Sequence, residues 1–182
     1  MFEWLLGRRR HSANAHNLYG SIVTMTRNPD LYKVLKVPDT LEMRFELLMF
    51  HMFVFLRWLS AADWDTGKLR QALVNHFFAD METTSRQVGV GDLAIPKKMR
   101  RLATQYATRM EEYREAHSNQ SDVESLELYG SIFFMASKDP MTQARKLYAY
   151  SKGLEEDLAG RDLNTILENP PALENLRNVI GT

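Results

Sequence analysis

The chain has 182 residues, no cysteine, and 23 basic side chains against 23 acidic ones. These numbers exclude disulfides and thiolate metal sites, fit a reducing compartment, and leave no overall charge to draw the chain toward nucleic acid or anionic lipid. The charge is uneven, with 17 Lys/Arg against 13 Asp/Glu in residues 1–121 and 6 against 10 in residues 122–182, which predicts a basic half and an acidic half.

A chain of this length suits one domain, which can bury about 70% of the surface its unfolded form exposes. The start, Met1 to Arg10, places Phe2, Trp4, Leu5 and Leu6 before Arg8, Arg9 and Arg10. A secretory signal has the opposite order. Residues 1–14 are therefore read as a basic and apolar segment, in which Phe2, Trp4, Arg8, Arg9 and Arg10 form a candidate contact with a membrane interface. Residues 15–182 are read as a single helical domain.

Helix signals follow one another along the chain, and strand signals are nearly absent. Asn28-Pro29 reads as an N-cap followed by proline in the first turn. Asp39 with Glu42 has the spacing of a capping box. The helix it opens carries Met43, Leu47, Phe50, Val54 and Trp58 at three- and four-residue steps, and Phe45, Leu48, Met49, Met52, Phe53, Phe55 and Leu56 fill its other faces. A helix so apolar all round is expected at the centre of the fold. It is too short and too charged, with Glu46, His51 and Arg57, to span a bilayer.

Gly67 to Val88 reads as the next long helix, with Leu69, Leu73, Phe77 and Met81 on one stripe and Gly89 as its left-handed cap. Pro96 opens another, with Met99, Leu102, Tyr106, Met110 and Tyr113 on one face. Ser121 with Glu124 is a further capping-box candidate, Asp139-Pro140 opens a helix through Leu147, Tyr148, Leu154 and Leu158, and Asn169-Pro170 opens a short last one. The expected architecture is all-α: a single compact domain of about eight helices around the central helix at about residues 40–60. Leu18-Tyr19-Gly20-Ser21-Ile22 recurs as Leu128-Tyr129-Gly130-Ser131-Ile132. One match this short falls below what repeat architectures show.

Three segments carry a resemblance. The first is Leu18-Tyr19 with Arg27 and Tyr32, leading to Val37-Pro38-Asp39-Thr40 and Arg44-Phe45. The second is the Leu48–Leu59 helix containing His51. The third is Phe78-Ala79-Asp80-Met81, then Arg86, then Gly89-Val90-Gly91-Asp92-Leu93, then Pro96-Lys97-Lys98-Met99. In this order and spacing, over about residues 15–115, the chain resembles the ubiquinol–cytochrome c chaperone family. It departs from the family pattern at Ser85-Arg86-Gln87-Val88, at Glu82 and at Thr108. The resemblance implies a helical assembly chaperone that binds newly made cytochrome b and passes it toward the bc1 complex, respiratory complex III. It does not imply binding of ubiquinol. With the resemblance go the expectations of a cytoplasmic protein, peripheral at the inner face of the inner membrane, with a ribosome or second assembly factor as further partners, no DNA, no cofactor and no catalysis.

The residues themselves leave two readings open at each feature. Gly89 to Pro96 is either a tight helix connection, with Asp92 bonding the next turn's amides, or a notch for a partner segment. Lys97, Lys98, Arg100 and Arg101 oppose the dipole of the helix they open. They are either a face neutralised by Asp80, Glu82 or Asp92, or a patch for an acidic partner, ribosomal RNA or lipid headgroups. Asp80, Arg86, Gly89, Gly91, Asp92, Lys97, Lys98, Arg100 and Arg101 are the candidate partner-binding residues. Arg44 is expected in a half-buried ion pair that sets register. Two rivals stand beside the chaperone: a peripheral membrane or ribosome adaptor, and an all-α metal-dependent enzyme using His51, His76 and Asp80. No His-Glu-x-x-His set or phosphate loop supports the enzyme.

Overall fold

The computed structural model describes residues 2–118 and 122–171, with side chains from His11 onward. Its elements are α1 (Phe2–Thr26), α2 (Pro29–Lys33), α3 (Leu41–Ala61), α4 (Gly67–Gln87), α5 (Ile95–Ser118), α6 (Val123–Phe133), α7 (Pro140–Ala159) and α8 (Leu163–Glu168). No strand occurs among the described residues. The side chains of Phe2, Trp4 and Arg8 to Arg10 lie outside them, as do Ser121 and the helix expected after Pro170.

Capping side chains set the starts of α2, α3, α7 and α8. The Asn28 side chain accepts from the Asp30 amide at 2.8 Å, and Asp139 accepts from the Thr142 amide at 3.1 Å with Pro140 in the first turn. The capping box expected at Asp39 and Glu42 is displaced by one residue. Thr40 is the N-cap of α3 and accepts from the Met43 amide at 3.2 Å. Asp39 is drawn away by the Arg44 guanidinium, 2.6 Å from its carboxylate. That pair is about half exposed on both sides, with Arg44 also lying over the Tyr32 ring. Arg44 therefore forms a surface pair rather than the half-buried one expected, because it sits in the first turn, before α3 dives into the core.

The core is built around α3. Every residue from Glu46 to Phe55 is buried, as a helix apolar on all faces requires. The Phe50 ring meets His51, Tyr113, Tyr129, Phe133 and Tyr150 with centroids 5.2–6.3 Å apart. α1 packs on α4 and on α3, α6 and α7 pack together and both touch α3, and α5 touches α3, α4 and α6. The α4 stripe lies as its spacing predicts, with Leu69, Leu73 and Phe77 buried and Met81 half-buried against them.

α5 is a rim helix. Of its expected apolar face only Tyr113 is fully buried, while Met99, Leu102, Tyr106 and Met110 are half-buried. The Tyr106 ring rests on Phe77 and Phe78 with centroids 5.1 and 5.4 Å away. The two Leu-Tyr-Gly-Ser-Ile segments both lie in helices, but their environments differ. Tyr19 donates to the Asp80 carboxylate at 2.7 Å, whereas Tyr129 sits between His117 and Ser151.

Candidate docking surface

α4 ends in a Schellman motif. The Gly89 amide donates to the Arg86 carbonyl at 3.0 Å and the Val90 amide to the Ser85 carbonyl at 3.1 Å. Gly89 has φ of 87°, in the left-handed region that favours glycine. Gly91 has no positive φ, so the freedom expected of both glycines is used only at Gly89. The chain then turns through Gly91, whose carbonyl accepts from the Ala94 amide at 2.8 Å, and enters α5 at the buried Ile95.

Arg86 organises the turn. Its guanidinium holds Glu82 at 2.9 Å and pairs with Asp92. Asp92 thus reaches back to α4 and does not bond the next turn's amides, because the fixed cation one turn before the cap draws it there. Beyond this pair the connection is apolar and open: Val88 is 64% exposed and Leu93 is 100% exposed.

Lys97, Lys98, Arg100 and Arg101 are all exposed. Lys97, Arg100 and Arg101 lie on the side of α5 away from the Ile95, Met99, Leu102 and Tyr106 stripe, and Lys98 borders that stripe, one turn from Ile95 and Leu102. None of the four has an ion-pair partner among the described residues. The carboxylates expected to neutralise them are engaged elsewhere: Glu82 and Asp92 by Arg86, and Asp80 by the Tyr19 hydroxyl. The structure therefore brings together Arg86, Gly89, Gly91 and Asp92, with the four cations following on α5. Asp80 turns instead to α1, where its bond with Tyr19 joins the two helices.

The three residues of the enzyme reading do not converge. His51 is fully buried, and both ring nitrogens are committed. Nδ1–H donates to the Leu47 carbonyl at 2.7 Å, which makes Nε2 the acceptor of the Tyr150 hydroxyl at 2.5 Å. Burial lowers the His51 pKa to about 4, so the ring is neutral. His76 sits against His16, its Nε2 on the Ser12 carbonyl at 3.2 Å. Among the described residues, no three His, Cys, Asp or Glu side chains are grouped to hold a metal.

A buried ion pair went unseen in the sequence. Arg109 holds the Glu46 carboxylate through two bonds, Nε to Oε2 at 2.9 Å and Nη2 to Oε1 at 3.0 Å. The Glu46 side chain is 8% exposed and that of Arg109 20%. Glu46 as the one carboxylate inside the apolar run of α3 was the available signal; its partner lies 63 residues away. Leu93 was missed as a surface feature too, since an apolar residue before a helix reads as core.

The model of the ubiquinol–cytochrome C chaperone family matches residues 33–173, well over half of the chain. The chain belongs to the ubiquinol–cytochrome c chaperone family. A search of curated proteins finds no match. The fold resembles the crystal structure of the Cbp3 homolog from Brucella abortus, with a TM-score of 0.75 and 23% identity, over 94% of this chain and 96% of that one. At that identity the likeness concerns the fold alone. Membership of the chaperone family and the all-helical fold thus agree with the resemblance carried by residues 15–115.

Proposed function

We propose that this member of the chaperone family binds newly synthesised cytochrome b and promotes its delivery into the bc1 complex by protein binding, without catalysis. The observation that carries the reading is the family match across residues 33–173. Two features of the molecule support it. The buried titratable groups serve packing: His51, Tyr150 and the Glu46–Arg109 pair hold helices together rather than opening on a cleft. Large apolar side chains also remain on the outside, among them Met135 at 81% and Met141 at 40% exposure. Methionine suits an adaptable surface for apolar client segments, because its unbranched chain repacks easily.

The working surface in this reading is the end of α4 and start of α5, with Arg86, Gly89, Gly91, Asp92, Lys97, Lys98, Arg100 and Arg101 as its docking residues. Asp80 supports it from behind by joining α4 to α1. No helix among the described residues is long and apolar enough to cross a membrane, and the proposed place of action is the cytoplasmic side, against the inner membrane. A second assembly factor or the ribosome is a further partner in this reading. Deletion of the gene followed by heme spectroscopy of the membranes tests it. Loss of the b-type heme signal of the bc1 complex is expected; a normal signal would defeat the assignment.

A further inference from the structure

We infer that the α4–α5 end docks on an anionic lipid bilayer, with Leu93 entering the interface while Lys97, Lys98, Arg100 and Arg101 lie on the headgroups. This rests on the reading of that end as the working surface and names its occupant. Leu93, at 100% exposure, lies in the connection before α5, and Val88, at 64%, follows the end of α4. The fold hides neither from water. Beside them, four cations crowd the first turns of one helix, where the dipole opposes them and no carboxylate pairs with them among the described residues. The nearest acids, Glu82 and Asp92, are occupied by Arg86.

An exposed apolar residue followed on the next helix by exposed cations matches the two layers of a membrane surface, hydrocarbon beneath and anionic headgroups above. Other polyanions satisfy only half of it. RNA would engage the cations, but residues 83–105 contain no aromatic side chain on which a base could stack. An acidic protein face would leave Leu93 in water unless it also offered an apolar pocket.

The test is sedimentation of the full chain with vesicles of equal parts phosphatidylcholine and phosphatidylglycerol, and with phosphatidylcholine alone. Binding to the mixed vesicles that weakens with salt, and little to the neutral ones, is expected. Leu93→Ser should weaken it roughly tenfold. Each of Lys97→Glu and Arg101→Glu should weaken it roughly fivefold or more. Unchanged circular dichroism would show that these exposed positions leave the fold intact. Three results overturn the inference: no binding to anionic vesicles; binding lost on charge reversal but indifferent to Leu93→Ser and competed by RNA, which marks a polyanion surface; or binding indifferent to all these variants and lost only on Trp4→Ser with Arg9→Glu, which assigns it to the N-terminal segment. Failure here with b-type heme still lost in the deletion strain would leave the chaperone reading standing. Vesicle binding as expected with normal heme would do the reverse.

Discussion

The Glu46–Arg109 pair yields the sharpest prediction, because it pins α5, the helix that carries the docking cations, to α3. Arg109→Met keeps the apolar stem and removes the guanidinium. Glu46, with 8% of its side chain exposed, would then lose both charge-assisted bonds with almost no water to replace them. Breaking a buried pair in this way costs about 3–5 kcal/mol. Since Arg109 keeps 20% exposure, some water can enter, and the lower end, about 3 kcal/mol, is expected. For a chain of this size that lowers Tm by roughly 6–12 °C. Removing both charges, in Glu46→Leu with Arg109→Met, should recover most of the loss, since the only carboxylate then left without Arg109 is Glu112, which is 41% exposed and open to water. Urea unfolding followed by far-UV circular dichroism reads all three proteins. A single-variant loss below about 1 kcal/mol, or a double variant no better than the single one, would refute the argument that desolvation of the orphaned carboxylate governs the site.

The remaining predictions concern single groups. Burial holds His51 at about 4 against an ordinary 6.5, so between these values the unfolded chain takes up a proton that the folded chain refuses. Stability should fall by about 3 kcal/mol as pH drops through that window, with His117, also lowered by burial, acting in the same direction; urea midpoints that are flat with pH would contradict this. The Tyr113 hydroxyl is buried without a hydrogen-bond partner, so Tyr113→Phe should leave the urea midpoint unchanged or raise it. Gly89→Ala meets open space but a φ of 87° and should cost about 1–2 kcal/mol, whereas Gly91→Ala, without that strain, should leave thermal unfolding within about 0.5 kcal/mol of the parent chain. Thr40→Ala should remove about 1 kcal/mol through loss of the α3 cap, and Asp39→Ala should cost less than Thr40→Ala in the same melts.

Local chemistry was enough for the helices. Periodicity, prolines and capping residues located α2, α3, α4, α5 and α7, and a helix apolar on every face could only be central. Gly89 as a left-handed cap followed in the same way, because a Schellman motif is closed by neighbours in sequence. At the start of α3 the sequence pointed to Asp39, whereas the cap is its neighbour Thr40. The competing pull of Arg44 depends on how the chain enters α3.

What needed the tertiary structure was partnership across distance. Glu46 finds Arg109, His51 finds Tyr150, and Tyr19 finds Asp80 only when helices far apart in sequence are laid side by side. That packing takes Asp80 away through Tyr19, while Arg86, four and six residues off, holds Glu82 and Asp92, so Lys97, Lys98, Arg100 and Arg101 have no ion-pair partner among the described residues. The fold also leaves Leu93 in water. Charge and hydrophobicity are properties of residues and can be read one at a time; a pair one turn apart, such as Glu82 with Arg86, follows from helix spacing, but pairing between helices and exposure are properties of the folded surface.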